Sequence, residues 1–190
     1  MRQSQRQYSV RDYFFVDVGS PIRHEYFDGE ILAMSGGTRT HARISGHVWS
    51  VLDAALDSTD CEPFHHDMRV TTPSGLYTYP DVSVVCGEAE EIGEGDETTL
   101  LNPILIVEVL SDSTRRYDRG QKFENYRTIA SLREYVLIEQ DRPFVELRQR
   151  VAANEWKTSS VEGLAQSAHL ASIGVDLPLA HIYKRVKFPH

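Results

Sequence analysis

Two hydrophobic periods alternate along the chain, and the places where one gives way to the other divide it into elements. Near the start, "VRDYFFVDVG" follows Ser9 and predicts a short helix that Ser9 caps and that stops near Gly19. In "RHEYFDGEILAM" the pair Asp28-Gly29 lies between apolar flanks. A two-residue type I′ turn needs positive φ at both central positions, which this pair supplies, so a hairpin is expected. From Thr38 to about Asp57, Ile44, Val48, Val51, Leu52 and Ala55 recur at helical spacing and predict one long amphipathic helix. The period then falls to two through "HHDMRVTTP", a turn at "SGLY", and the strands "YPDVSVVC" and "PILIVEVLS". The run from Ile104 to Leu110 is nearly unbroken and rich in β-branched residues, as suits a central strand covered on both faces. "STRRYDRGQKFENYRTIAS" returns to a helix, with Phe123, Tyr126 and Ile129 or Ala130 facing inward. An antiparallel meander, "EYVLIEQ", "FVELRQR" and "WKTSSVE", follows, and "LPLAHIYKRV" closes the chain as a short helix or turn. The aromatics at 13 to 15, 123 and 126 are expected in the core.

Size adds little complication. With 190 residues, 41% hydrophobic and 25% charged, residues 1–190 are expected to form a single domain. No stretch approaches the roughly 18 apolar residues that cross a bilayer, and no apolar leader follows the first residues, so a cytoplasmic protein without a membrane partner is expected. Only Cys61 and Cys86 are present, without a CxxC spacing, which weighs against a disulfide framework or a cysteine zinc site and fits a reducing compartment. The net charge of −8 argues against a broad phosphate-binding surface. However, "GEAEEIGEGDETT", from Gly87 to Thr99, holds six acids (Glu88, Glu90, Glu91, Glu94, Asp96 and Glu97) and no base. Without those six the rest of the chain carries −2, so a local basic groove is compatible with the total.

Two acids interrupt otherwise apolar strands. Strand alternation puts Ile104, Ile106, Glu108 and Leu110 on one side, so Glu108 replaces an apolar residue in an apolar row. A lone ionised carboxylate there costs several kcal/mol unless it is paired, hydrogen-bonded, bound to a metal or at the strand's wet end. Asp81 follows Pro80 at a strand entrance, where a turn-forming role and a functional one are equally good explanations. Two carboxylates converging from adjacent strands make a hard-ligand site suited to Mg²⁺ or Mn²⁺. Asp118, Lys122 and Tyr126 form an i, i+4, i+8 row on the next helix. Taken alone, Asp118 and Lys122 read as an ordinary surface pair.

The order of these pieces is more specific than any one of them. A carboxylate near a DG hairpin (Glu25), a histidine on the first long helix (His41), "PD" (Pro80, Asp81), "EVLS" (Glu108 to Ser111), D-x3-K-x3-Y (Asp118, Lys122, Tyr126) and "REYVLIE" follow one another. In this the chain resembles, from about Tyr13 to "DLPL", the putative restriction endonuclease family of the PD-(D/E)XK nuclease-like superfamily. The superfamily's usual Glu-x-Lys reads Glu108-Val109-Leu110 here, while Lys122 is similar to the lysine of this family's own pattern. The resemblance implies an α/β (α+β) restriction-endonuclease-like core: a mixed central sheet flanked by helices, an N-terminal hairpin and a C-terminal antiparallel extension. It implies a metal-dependent endonuclease hydrolysing DNA phosphodiester bonds, with Asp81, Glu108 and the Val109 carbonyl holding Mg²⁺ or Mn²⁺. Lys122 would assist water attack, Glu25 would be an auxiliary acid, and by analogy with the superfamily the protein would be a homodimer.

Other candidates have competing explanations. His41 suits a phosphate contact or a helix cap; Arg115 and Arg116 suit phosphate contacts or a solvated loop. His65 and His66 cannot both face one way on a strand, and no HExxH or H-x3-H with an acid partner appears, which speaks against a histidine metal site. Two other functions compete with the nuclease: a non-catalytic member of the fold that binds nucleic acid or a protein, and a carboxylate-pair glycosidase. The last lacks a sugar-stacking row, since Trp49 and Trp156 are the only tryptophans.

Overall fold

The computed structural model describes residues 7–34, 36–93, 95 and 98–188. Helix α1 (Val10–Val18) opens on a capping box in which the Ser9 hydroxyl accepts from the Asp12 amide and Asp12 accepts from the Ser9 amide. It buries only Tyr13 and Asp17, one turn apart. Phe15, expected in the core, is 85% exposed because it lies on the helix's other face. Strands β1 (His24–Phe27) and β2 (Glu30–Ala33) pair around Asp28 and Gly29, whose φ values of 49° and 81° give the predicted turn.

Helix α2 (Arg39–Leu56) is capped by Thr38, whose hydroxyl accepts from the His41 amide at 3.0 Å. Ile44, Val48, Leu52 and Leu56 form its buried stripe, while Ala55, expected inside, is exposed. The following strands are β3 (Cys61–His65), β4 (Arg69–Thr71), β5 (Tyr77–Thr78), β6 (Val82–Cys86), β7 (Glu91–Ile92), β8 (Thr99–Leu100) and β9 (Leu105–Val109). "HHDMRVTTP" is therefore not one strand. The Met68 amide donates to the His65 carbonyl in a turn, and the chain crosses there from one sheet to another. Of the acidic stretch, Glu94, Asp96 and Glu97 lie outside the described residues.

The helix after β9 is continuous but irregular, running through α3 (Arg115–Tyr117), a π-helical turn (Asp118–Lys122) and α4 (Phe123–Tyr126). Strands β10 (Glu134–Ile138), β11 (Phe144–Ala152) and β12 (Glu155–Glu162) form the expected antiparallel meander. A hairpin of β13 (Ser167–Leu170) and β14 (Val175–Pro178) and the short α5 (Leu179–Ile182) complete the fold.

Two six-stranded mixed sheets result, ordered β2-β1-β5-β4-β8-β7 and β12-β11-β10-β9-β6-β3. The single parallel neighbour pairs are β4 with β8 and β9 with β10. The alternation of β9 serves two cores. Leu105, Val107 and Val109 pack with Ile44, Val48 and Leu52 of α2 and with the C-terminal hairpin. Ile106 and Leu110 pack on the opposite face with Phe123, Tyr126, Tyr135 and Val70, the last from the other sheet. A central strand apolar on both faces is the arrangement that the run from Ile104 to Leu110 predicts. No helix of the described chain is long and apolar enough to cross a membrane.

The cysteines correct an expectation. Cys61 and Cys86 are directly opposed in the antiparallel β3–β6 pair and form a disulfide. Cross-strand register, which sequence spacing does not display, brings together two residues 25 positions apart.

Candidate active site

Glu108 projects from the middle of the second sheet into the core that carries Ile106 and Leu110, and the irregular helix supplies its partners there. The Lys122 ammonium lies 2.7 Å from Glu108 Oε1, and the Tyr126 hydroxyl donates to the same oxygen at 2.8 Å. Asp118 Oδ1 stands 3.7 Å from the same ammonium. The row Asp118, Lys122, Tyr126 is thus turned inward as a whole, and all three residues are buried. Burial pushes the Glu108 carboxyl up to about 8, against the opposing pull of the Lys122 charge. Asp118 is likewise raised by burial. Burial would lower Lys122, but Glu108, Glu25 and Asp118 together hold it above its ordinary value. Leu110, at the position of the usual superfamily lysine, is fully buried among apolar side chains.

Asp81 lies one residue before β6 and extends that ladder with its side chain. Its Oδ2 accepts from the Val109 amide at 2.7 Å and lies 3.1 Å from His41 Nε2. His41 stands in the first turn of α2, close enough to Gly37 that a Cβ there would come within 2.7 Å of its Nδ1. Burial disfavours the charged imidazole, yet the hydrogen bond and charge of Asp81, together with the charges of Glu108 and Asp118, outweigh it and raise the His41 pKa.

Glu25, on β1 of the first sheet, receives hydrogen bonds on both oxygens. Thr78 Oγ1 donates to Oε2 at 2.7 Å and the Tyr117 hydroxyl to Oε1. Burial and then the Glu25 charge raise the Tyr117 pKa. Neither Thr78 nor Tyr117 carries a sequence signal that ties it to Glu25, because each is 53 or more residues away. Arg115 is engaged by Asp112, Glu139 and Asp141, and Arg116 is exposed.

Glu25, His41, Asp81, Glu108, Val109, Asp118 and Lys122 all line one cleft of about 870 Å³; Arg115 and Arg116 do not. Its outer wall is apolar, with Ile22, Leu32, Met34 and Trp49. Among the described residues, Asp81 Oδ1 and Glu108 Oε2 accept no hydrogen bond, since every contact of these two acids falls on their other oxygen. Two hard oxygen donors with one oxygen each to spare, in a shared cleft, fit Mg²⁺ or Mn²⁺ in the donor preference of those ions. Glu25, with a hydroxyl already on each oxygen, is the least available of the three acids.

Comparison with known proteins bears on the family and the fold. An uncharacterised protein of Synechocystis sp. is 34% identical over 167 residues, covering 87% of this chain and 86% of that one. A second from the same organism is 35% identical over 142 residues, covering 74% and 80%. A crystal structure described as a putative nuclease from Anabaena variabilis superposes with a TM-score of 0.72, at 18% identity, over 88% of this chain and 93% of that one. The fold is therefore shared with that structure. The profile of the Uma2 family, described as "Putative restriction endonuclease", matches residues 7–180. The chain belongs to that family.

Proposed function

We propose that the protein is a metal-dependent endonuclease that hydrolyses DNA phosphodiester bonds. The observation that carries this reading is the pair of strand-borne carboxylates, each with one uncommitted oxygen, beside a buried lysine in one cleft. Asp81 and Glu108, with the Val109 carbonyl, would hold Mg²⁺ or Mn²⁺, which when bound supplies water activation and neutralisation of phosphoryl charge. The chain's own groups do the positioning. The Val109 amide and His41 fix the Asp81 carboxylate, and Lys122 and Tyr126 fix Glu108. An ammonium has three donors, so beyond its contact with Glu108 the Lys122 group can orient the attacking water and face the developing negative charge. His41, which lines the cleft, is the phosphate contact in this reading; Arg116 is exposed outside the cleft lining and Arg115 is already engaged by three carboxylates, so these two would meet only phosphates beyond it. Glu25 acts through Tyr117 as a support at the cleft wall. A homodimer, presenting one site to each strand of a duplex, is the assembly proposed by analogy with the superfamily; the Cys61–Cys86 bond weighs against the reducing compartment expected from the sequence.

A second reading, a non-catalytic nuclease-fold protein that binds nucleic acid or a protein partner, is favoured by two observations: Leu110 is a core residue and Lys122 is already paired with Glu108. Cleavage of supercoiled plasmid with Mn²⁺ or Mg²⁺ separates the two. Wild-type protein should nick and linearise DNA only with the ion present, and Asp81→Ala and Glu108→Ala should each abolish it. Cleavage that persists in both variants rejects this site; an inert wild type that still binds DNA supports the second reading.

A further inference from the structure

The sequence places His65 and His66 on one strand, where successive side chains point apart. In the structure β3 ends at His65 and His66 begins the turn to β4, so the strand rule applies to only one of them. Their rings are brought to 5.3 Å between centroids, and Asp67 follows in the same turn. Asp67 stands 3.7 Å from His65 Nδ1 and 3.9 Å from His66 Nε2, and one donor atom from each of the three residues lies within 4.8 Å of the others. Among the described residues this is the one group of three such donors with that closeness.

We propose that His65, His66 and Asp67 form a second metal site, for a Zn²⁺-class transition ion. A tetrahedral zinc with ligands at about 2.0–2.1 Å holds its donors roughly 3.3–3.5 Å apart. Closing the observed cluster onto an ion therefore asks for side-chain shifts of about an ångström or less, and all three side chains are more than half exposed and free to make them. Two imidazoles and one carboxylate select zinc, cobalt or nickel over magnesium, which prefers oxygen. The site is thus chemically distinct from the all-oxygen pair of Asp81 and Glu108. Both imidazoles also line the cleft that holds those acids. An ion bound by three protein ligands keeps a fourth position open, and at this place that position serves a phosphate oxygen entering the cleft. Arg23 lies 3.7 Å from Asp67 and competes for its carboxylate.

Cobalt is the probe, because a tetrahedral Co²⁺ site has visible absorption that can be titrated apart from any nuclease activity. The full chain should bind one Co²⁺ with such a spectrum, and Zn²⁺ should displace it. In the double variant His65→Ala/His66→Ala, which loses two of the three donors, affinity should fall at least about tenfold. Exposed positions are chosen so that a thermal melt can verify the variant's fold. The double variant Asp81→Asn/Glu108→Gln should keep the spectrum. No cobalt spectrum in the wild type, an unchanged affinity in the histidine variant, or loss of binding in the acid variant would each overturn the proposal. Failure of the nuclease reading looks different: plasmid stays intact while the cobalt titration is unaltered.

Discussion

Lys122 and Glu108 are worth more together than either is apart. Both are about 5% exposed, and the ammonium is the nearest positive charge to a carboxylate that burial has raised to about 8. Replacing Lys122 by Met leaves that acid buried without its cation, a change that costs about 3–5 kcal/mol when the acid is ionised. The pH dependence follows from the direction of the shift. In the unfolded chain a glutamate releases its proton near pH 4.3, whereas in the folded variant, deprived of the opposing lysine, Glu108 keeps it to a higher pH than before. Folding then takes up a proton, so stability is greatest below about pH 4.3 and is lost as pH rises through the folded value. Urea unfolding of Lys122→Met should accordingly show a larger deficit relative to wild type at pH 8 than at pH 5. An equal deficit at both would mean that Glu108 is not the group left exposed to the loss. At this scale the sequence was informative where period and chemistry coincided: Glu108 stood out from its apolar row, and the spacing of Asp118, Lys122 and Tyr126 gave their common direction. It was silent on Tyr117 and Thr78, because a contact between residues on different sheets leaves no local pattern.

Among elements, the edge strand β3 is held to β6 by the backbone ladder and by the Cys61–Cys86 bond. Closing a loop of about 25 residues restricts the unfolded chain by roughly 3–3.5 kcal/mol in the loop-entropy picture. For a protein of this size that corresponds to a melting temperature about 6–14 °C lower once the bond is reduced. Thermal melts with and without dithiothreitol should show that difference, and Cys61→Ser/Cys86→Ser should melt like the reduced protein. The loss should spare the helix that carries Lys122, which packs on the other face of the sheet. Element types were largely readable, since the α2 stripe, the DG hairpin and the two-sided β9 are strong periodic signals. Boundaries were less so. The turn between β3 and β4 contains neither Gly nor Pro, and the π-helical turn at Asp118–Lys122, whose two end residues are buried, interrupts a helical period that the sequence shows as continuous.

Across the whole molecule, the cleft gathers residues from both sheets and both helical layers: Glu25 from the first sheet, Asp81 and Glu108 from the second, His41 from α2 and Lys122 from the far side. Sequence order alone arranged these groups correctly along the chain but carried no information about which of their oxygens would remain uncommitted. Asp81 shows the consequence most simply. Its carboxylate, and not a strand carbonyl, is the acceptor of the Val109 amide. Hydrogen exchange at that single amide therefore reports on the acid. In Asp81→Ala the Val109 amide should exchange markedly faster by NMR while those of Ile106 and Val107 keep their protection, and a divalent ion that draws the carboxylate away from Val109 should leave the same mark on the wild type. The backbone at position 109 thus becomes a clock for the side chain at 81, legible in a protein that has cut nothing.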